Sequence, residues 1–259
     1  MKSDAIWAQV LKAPADQTLR GKYELALRVE KDPRAAVFPA AADVERFPAY
    51  YVQHDAMMRK YEEALRPWRA AMLPLEKKWN AEVRFVGGWP VELTVTARDF
   101  ATHAAEIVGA MPLRHLNLRE VAAAEDVFGL RELEQIASLN GSATPWDPAA
   151  VRSIAQSEHV GALRWLSLQK TGITDADVDV LAASMRMRGV QHLDVRENPC
   201  RDPVDASMGY GSDWQTGIVP ESIYLPEFGK ELEKKYGRIG WLHALGNFME
   251  KHPPSRYSF

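Results

Sequence analysis

A short apolar pattern that occurs five times between residues 90 and 195 limits the folds open to this chain more than any other feature. Each copy reads apolar-x-x-apolar-x-apolar or nearly so, and successive copies begin 23, 20, 30 and 27 residues apart. Period-two alternation predicts a short strand in every copy, and spacings of this size indicate a stack of similar units. The copies occupy residues 90–95, 113–118, 133–138, 163–168 and 190–195.

Helical patterns lie between the predicted strands. The stretch 97–109 carries apolar residues at helical spacing, Asp147-Pro148 can open a second helix, and Thr174 to Asp177 is a variant of the capping box. Asn198, in the turn after the fifth copy, is expected to bond neighbouring backbone groups through its side-chain amide.

One strand and one helix cannot bury their apolar faces alone, whereas stacked copies share a continuous core. We therefore predict an α/β fold, a short leucine-rich-repeat solenoid with a parallel sheet, helices outside it, and a horseshoe curve. Because the spacing is irregular, an ordinary α/β sheet with helices on both faces is the alternative.

The regions on either side lack the repeat, so we predict three parts: a helical N-terminal region 1–80, the solenoid 81–200 and a mixed C-terminal region 201–259. Both flanking regions are expected to cap the open ends of the solenoid. The N-terminal region contains an Ala- and Pro-rich stretch, 35–48, that predicts a connection. In the C-terminal region we expect strands at 218–219 and 223–225, a helix ended by Gly237, and a last helix over 241–249.

A long apolar stripe precedes the first repeat. Its spacing of three and four residues predicts a helix packed on the rest of the fold or, alternatively, a coiled coil. Pro67 and Pro74 are expected to kink or split this helix, which argues against a coiled coil. The stripe consists of Met57, Tyr61, Leu65, Trp68, Met72, Leu75 and Trp79.

Composition excludes several classes of partner. The chain has 32 Lys and Arg against 35 Asp and Glu, a formal net charge of −3, so nucleic acid is not an expected partner. Cys200 is the only cysteine, which rules out an internal disulfide and a thiolate metal cluster. The N-terminus lacks a secretory pattern, and no apolar run approaches the ~18 residues that span a membrane. We expect a cytoplasmic protein.

Five segments resemble a group of bacterial leucine-rich-repeat proteins with an N-terminal repeat-companion domain. They are Leu113-Arg-His-Leu-Asn-Leu118 and Leu163-Arg-Trp-Leu-Ser-Leu168, the closing repeat 190–199, the lead-in 83–90 and the tail 225–237. The resemblance extends from about residue 81 to 240. It implies a right-handed solenoid that presents a surface for protein binding, and it carries over no catalytic residues.

Motifs for catalysis or cofactor binding are missing from the sequence. There is no phosphate-binding Gly-x-x-x-x-Gly-Lys loop, no His-Glu-x-x-His and no Gly-x-Ser-x-Gly. Gly87-Gly88 predicts a turn, and Asp175, Asp177 and Asp179 lack the Gly and Glu of a calcium loop. We predict no catalytic residue, metal ligand or cofactor.

A polar face of the predicted sheet is the remaining functional candidate. Residues between the apolar positions of each strand point away from the core, and exposed Trp and Arg side chains are typical of binding hot spots. The predicted protein-binding residues are His115, Asn117, Arg119, Trp165, Ser167, Gln169, His192, Asp194 and Arg196. The weaker third copy is expected to add Gln135, Ala137 and Leu139.

These residues predict a non-enzymatic scaffold that binds another protein of unknown identity through the concave face of its sheet. An immunity or antitoxin protein that occludes a toxin is a specialised form of the same hypothesis. Two hypotheses of a different class stay open: an enzyme with its site in the loop 202–217, and a purely structural subunit.

Overall fold

Helices and short strands alternate along the chain in the computed structural model, which describes residues 2–46, 53–121, 125–203 and 225–243. The helices are α1 (Ser3–Lys12), α2 (Gln17–Val29), α3 (Val37–Arg46), α4 (His54–Trp79), α5 (Ala97–Ala110), α6 (Glu125–Phe128), α7 (Pro148–Gln156), α8 (Asp175–Ala183) and α9 (Glu227–Tyr236). The strands are β1 (Glu82–Val86), β2 (Trp89–Thr96), β3 (His115–Arg119), β4 (Ser138–Asn140), β5 (Trp165–Ser167) and β6 (His192–Asp194). In the same ranges, 3-10 turns lie at Pro33–Ala36, Arg131–Gln135, Arg186–Gly189 and Gly240–Leu242.

The described strands form one six-stranded sheet in chain order, which confirms the α/β class. β1 and β2 pair antiparallel, whereas β4, β5 and β6 pair parallel. In the parallel part Leu139, Leu166 and Leu193 stand in register, each 27 residues after the one before. The described residues divide into two compact units between Asn117 and Leu118, called here the N-terminal unit and the C-terminal unit.

The turn between β1 and β2 consists of two glycines, as the sequence predicted. Gly87 and Gly88 have φ of 57° and 83°, the left-handed pair that a two-residue hairpin turn requires. A Cβ on Gly88 would lie 3.0 Å from a methyl carbon of Val37 and 3.2 Å from the ring of Phe38. Glycine therefore fits here both for its backbone angles and for the close approach of α3.

An aromatic cluster forms the core of the N-terminal unit. Trp89 of β2 stacks parallel to Trp7 of α1 at 6.2 Å, and Trp7 lies 4.9 Å from Tyr23 of α2. Trp68 of α4 completes the cluster 5.6 Å from Trp7 and is only 1% exposed. Burial of such large rings against one another binds the helices to the hairpin. The guanidinium of Arg20 covers the outer face of Trp89 at 5.1 Å.

The long helix α4 is continuous, so of the predicted kink or split at Pro67 and Pro74 the split does not occur. Each proline leaves one carbonyl without its helical donor, at Glu63 and Ala70, four residues earlier. Both of these residues are exposed, so water can bond to the carbonyl oxygens. The apolar stripe is buried at Tyr61, Leu65, Trp68, Met72 and Trp79, which confirms a helix packed on its own unit.

The Ala- and Pro-rich stretch 35–48 is also helical where it is described, against the predicted connection. Pro39 is the third residue of α3, within the first turn, where its missing N–H has no helical acceptor. Val37, Phe38, Ala41 and Val44 turn one face of the helix toward the core. Packing of that face outweighs the weak helical signal of the sequence.

The third repeat lies three residues further along than its sequence predicted. Residues Arg131–Gln135 form a 3-10 turn, and β4 pairs Leu139 with Leu166. The repeat therefore reads Ile136-Ala-Ser-Leu139-Asn-Gly141, and the five copies begin 23, 23, 27 and 27 residues apart. Leu139, predicted on the polar face, is 1% exposed and belongs to the core.

A tryptophan fills the place left by the missing apolar side chain of this repeat. A Cβ on Gly141 would lie 2.5 Å from the ring of Trp146. The Trp146 indole N–H donates to the Gly141 carbonyl oxygen at 3.1 Å, and the ring packs 5.6 Å from Phe128. In this repeat the Trp146 ring therefore fills the space above Gly141 that the last apolar side chain fills in the other copies.

Capping residues start the helices of the C-terminal unit where the sequence placed them. Asp147 accepts from the backbone N–H of Ala150 at 2.7 Å at the start of α7. Thr174 and Asp177 form the predicted capping box of α8, with the Thr174 backbone N–H donating to Asp177 at 2.9 Å. These bonds satisfy backbone N–H groups that have no partner inside a helix.

Helix α9 ends as predicted at Gly237, whose φ is 74°. It contacts α8 through Asp179, which accepts from Lys235 at 2.9 Å and from the Tyr236 hydroxyl at 2.7 Å. Of the predicted last helix 241–249 only residues 241–243 are described, and a 3-10 turn, Gly240–Leu242, lies there. The predicted strand at 218–219 and residues 223–224 of the predicted strand at 223–225 lie outside the described ranges. No helix of the described ranges is both long and apolar enough to cross a lipid bilayer.

Candidate functional site

The polar face of β5 and β6 carries the predicted binding residues of the C-terminal unit in adjacent rows. Trp165 pairs in register with His192, and Ser167 pairs with Asp194. Leu166 and Leu193 alternate with them and are buried on the opposite side of the sheet. Trp165 and His192 are half-buried, so the edge of this face is partly accessible to solvent. The face formed by Trp165, Gln169, His192, Asp194 and Arg196 is called the polar face below.

An ion pair fixes the far end of the polar face. Arg196 donates from Nε and Nη2 to the two carboxylate oxygens of Asp194 at 2.8 and 2.6 Å. This hydrogen bonding to Asp194 raises the pKa of the Arg196 guanidinium above its ordinary value. A bidentate pair holds a long side chain in one position, so little rotamer freedom is left to lose when a partner binds.

Gln169 lies beside this pair. Its amide nitrogen donates to the carboxylate of Glu197 in the following turn. Glu197 has a φ of 58°, a left-handed conformation that places its carboxylate next to the strand end. Gln169 is thereby held in place as well.

Ser167 does not belong to an accessible surface, which corrects one predicted binding residue. It is 3% exposed, and its hydroxyl lies 2.6 Å from the Ser142 hydroxyl. The turn after β4 covers it, because the third repeat is shifted and brings Ser142 over β5. Asn140 takes the position in β4 that pairs with Ser167. Its side chain accepts from the Ser142 backbone N–H at 3.0 Å.

The asparagine turn after β6 forms as the sequence predicted. Oδ1 of Asn198 accepts from the backbone N–H groups of Thr171 and Gly172 at 2.8 and 2.7 Å. Its Nδ2 donates to the carbonyl oxygens of Leu168 and Val195 at 2.7 and 2.8 Å. One amide thus joins the turns that follow β5 and β6 and supports the end of the polar face.

In the N-terminal unit the predicted residues His115 and Asn117 lie in a largely buried polar cluster. Glu92, 3% exposed, accepts from the Asn117 amide at 2.7 Å and from Arg84 at 3.3 Å. Glu92 belongs to the same polar row by its place in the repeat, but it is buried rather than exposed. Arg119, at the end of β3, is exposed.

Three atoms of this region have no hydrogen-bond partner among the described residues: Oε2 of Glu92, Nδ1 of His115 and Nε of Arg20. The pKa of His115 is lowered to about 4, mainly by burial; Glu92 opposes this shift, and Arg114 and Arg20 add to it. The imidazole is therefore neutral near pH 7 and becomes protonated as the pH falls toward about 4.

The described residues provide neither a metal-binding cluster nor an activated cysteine. They contain no group of three His, Cys, Asp or Glu side chains that could hold a metal ion. Burial, Asp175 and Asp202 raise the pKa of Cys200 to about 11, so its thiol stays protonated and is a weak nucleophile near neutral pH. Of the loop 202–217 considered for an enzyme site, residues 204–217 lie outside the described ranges.

Comparison of the chain with protein-family models, with curated proteins and with solved structures found no match.

Proposed function

We propose that this chain is a protein-binding module built from leucine-rich repeats, and that the polar face of its C-terminal unit is the docking surface. The 27-residue register of Leu139, Leu166 and Leu193 supports the repeat assignment, since equal intervals between paired strands are typical of stacked units. Parallel strands with a capped helix before or after each one fit the same description.

One observation carries the proposal: Trp165 stands half-buried in register with His192, next to the bidentate pair of Arg196 and Asp194. Tryptophan and arginine are the residues that most often dominate binding energy at protein interfaces. Arg196 is held by Asp194, so its contact area is available at a small cost in conformational entropy.

Affinity capture from the native host tests this function. The bait is the wild-type chain beside the single variants Trp165→Ala and Arg196→Gln and their double variant. The matched control is Met185→Ala with Arg152→Glu, since both of these side chains are exposed and lie outside the polar face. Equal melting temperatures show that each bait is folded.

A partner that binds wild type and control should bind the double variant at least about tenfold more weakly, as for the loss of one or two hot-spot residues. The dissociation constants are measured with the purified partner. A partner held equally by all baits places the docking surface elsewhere on the chain, and the absence of any partner contradicts the binding function. A captured toxin would identify the immunity form of this function.

A further inference from the structure

A cleft opens at the edge of the C-terminal unit where β6 begins. Its volume is about 630 Å³, within the range of ligand sites in proteins. The 3-10 turn Arg186–Gly189 forms one side, and the segment 238–243 forms the other. The cationic and imidazole side chains that line it are Arg164, Arg188, Arg238, His192 and His243.

Backbone carbonyls hold two of these arginines in place. Arg188 donates to the carbonyl oxygens of Tyr236 and Arg238 at 2.8 and 3.0 Å, which joins the two sides of the cleft. Arg164 donates from Nη1 to the carbonyl oxygens of Gly161 and Leu163 at 2.9 and 3.0 Å. Neutral carbonyls orient a guanidinium but leave its charge uncompensated.

Carboxylates are paired with arginines elsewhere in this unit but not here. Arg186 lies 3.1 Å from Glu158, and Arg201 lies 2.7 Å from Asp175. In the described ranges no carboxylate lies within ion-pair distance of Arg164, Arg188 or Arg238.

The carboxylate closest in sequence to the 238–243 side is already engaged. Glu233 accepts through Oε1 from the Ile239 backbone N–H at 3.1 Å and lies 2.7 Å from Nε2 of His243. Three guanidinium groups without a carboxylate among the described residues therefore face one cleft, in a chain whose formal net charge is −3. Such a local excess of positive charge attracts an anionic ligand.

The form of the cleft favours an extended anion over a single phosphate. Its walls include 3-10 turns of four and three residues, which are too short to supply a helix N-terminus that would surround a phosphate with N–H groups. Arg164 and Arg188 already donate N–H groups to carbonyl oxygens, which leaves fewer donors to surround one phosphate and favours a ligand whose charge is spread along a chain. The negative net charge of the protein opposes a polynucleotide.

The cleft also continues the polar face. His192 lines the cleft and stands in register with Trp165. We propose that the cleft binds an acidic peptide segment of the partner that docks on the polar face, an inference that rests on the proposed function. Carboxylates of the segment pair with Arg164, Arg188 and Arg238, while the neighbouring part of the partner covers Trp165.

Fluorescence anisotropy with labelled hexaglutamate tests the cleft without the partner. The test variant is Arg238→Glu. The guanidinium of Arg238 bonds to no described residue, so its removal should not disturb folding. Arg152→Glu is the control, because it makes the same change of charge at an exposed position of α7 that lies outside the cleft. At about 50 mM salt we expect Arg238→Glu to weaken binding at least about fivefold and Arg152→Glu less than about twofold. Labelled hexalysine should not bind.

Equal weakening by both variants would show general attraction by charge and would overturn the inference, as would no binding of hexaglutamate to the wild-type chain. Tighter binding of inorganic phosphate or of a short single-stranded DNA, lost in Arg238→Glu, would assign the cleft to phosphate instead. The double variant Trp165→Ala with Arg196→Gln separates the two hypotheses. It should bind hexaglutamate like wild type even where it fails to bind the partner.

Discussion

Lowering the pH from about 7 to about 5 should destabilise the folded chain through His115, because the native structure buries this side chain in its neutral form. Desolvation lowers the pKa of His115 to about 4. The charged groups that face it are Glu92, which favours the protonated form, and Arg114 and Arg20, which oppose it. In the unfolded chain the same imidazole has the ordinary pKa of about 6.5.

The sign follows from which state binds the proton first. Between pH values of about 6.5 and 4 the unfolded state is protonated and the folded state is not, so protons favour unfolding. Each pH unit in this window lowers the free energy of unfolding by about 1.4 kcal/mol. The loss attributable to His115 is about 2 kcal/mol at pH 5 and reaches about 3 kcal/mol below pH 4, where both states are protonated.

Urea denaturation of wild type and His115→Gln at several pH values between about 7 and 5 measures this loss. Glutamine cannot take up a proton in this range, so the difference in unfolding free energy between the two proteins isolates the histidine. Between about pH 7 and pH 5 the free energy of unfolding of wild type should fall by about 2 kcal/mol relative to that of the variant. His103→Gln, on α5 of the same unit, controls for the removal of a histidine as such.

The result that refutes the reasoning is a constant difference between wild type and His115→Gln across the range. It would mean that the imidazole is as easily protonated in the folded chain as in the unfolded one, through water or through rearrangement of Glu92. A wild type that gains stability relative to the variant as the pH falls would reverse the sign and would show that the Glu92 charge outweighs burial.

Two further substitutions test packing in the C-terminal unit. Asn198→Ala removes four short hydrogen bonds to backbone groups and should lower the unfolding free energy by about 2–4 kcal/mol, against about 1 kcal/mol for Asn140→Ala, which removes the bond from the Ser142 N–H. Similar losses in urea denaturation would contradict the bridging role of Asn198. Trp146→Ala should lower the unfolding free energy by about 3–5 kcal/mol, because it leaves a cavity beside Gly141. Trp165 is half-buried, so Trp165→Ala should lower it clearly less. A larger loss for Trp165→Ala would show that Trp165 is a core residue and would argue against its role in binding.

Local signals in the sequence were sufficient wherever the structure depends on near neighbours in the chain. The capping residues Asp147 and Thr174 bond groups three residues away, and Gly87-Gly88 forms a turn by its own backbone angles. The strands β5 and β6 follow the apolar pattern of their repeats, since each apolar position is filled by its own side chain. The asparagine turn at Asn198 was predictable from its place in the repeat, although most of its bonds reach residues 26–30 positions earlier in the chain.

The third repeat shows where such reasoning fails. Two overlapping patterns compete in the sequence, one starting at Leu133 and the other at Ile136. The second pattern looks weaker because Gly141 stands at its last apolar position. Trp146 decides between them by filling the space at Gly141 from five residues away, a contact that no apolar period reveals. The more regular intervals of 23, 23, 27 and 27 residues were the one signal in the sequence for the correct pattern.

The sequence by itself determined the alternation of strands and helices, the caps of α7 and α8 and the polar rows of β5 and β6. Tertiary packing decided which of these polar residues are accessible: it buried Ser167 under Ser142 and enclosed His115 and Glu92, and it left Trp165 half-buried. The physical reason is the range of the interactions. Caps, turns and strand alternation arise from groups within a few residues, whereas burial and the pKa values that depend on it are set by side chains far apart in the chain.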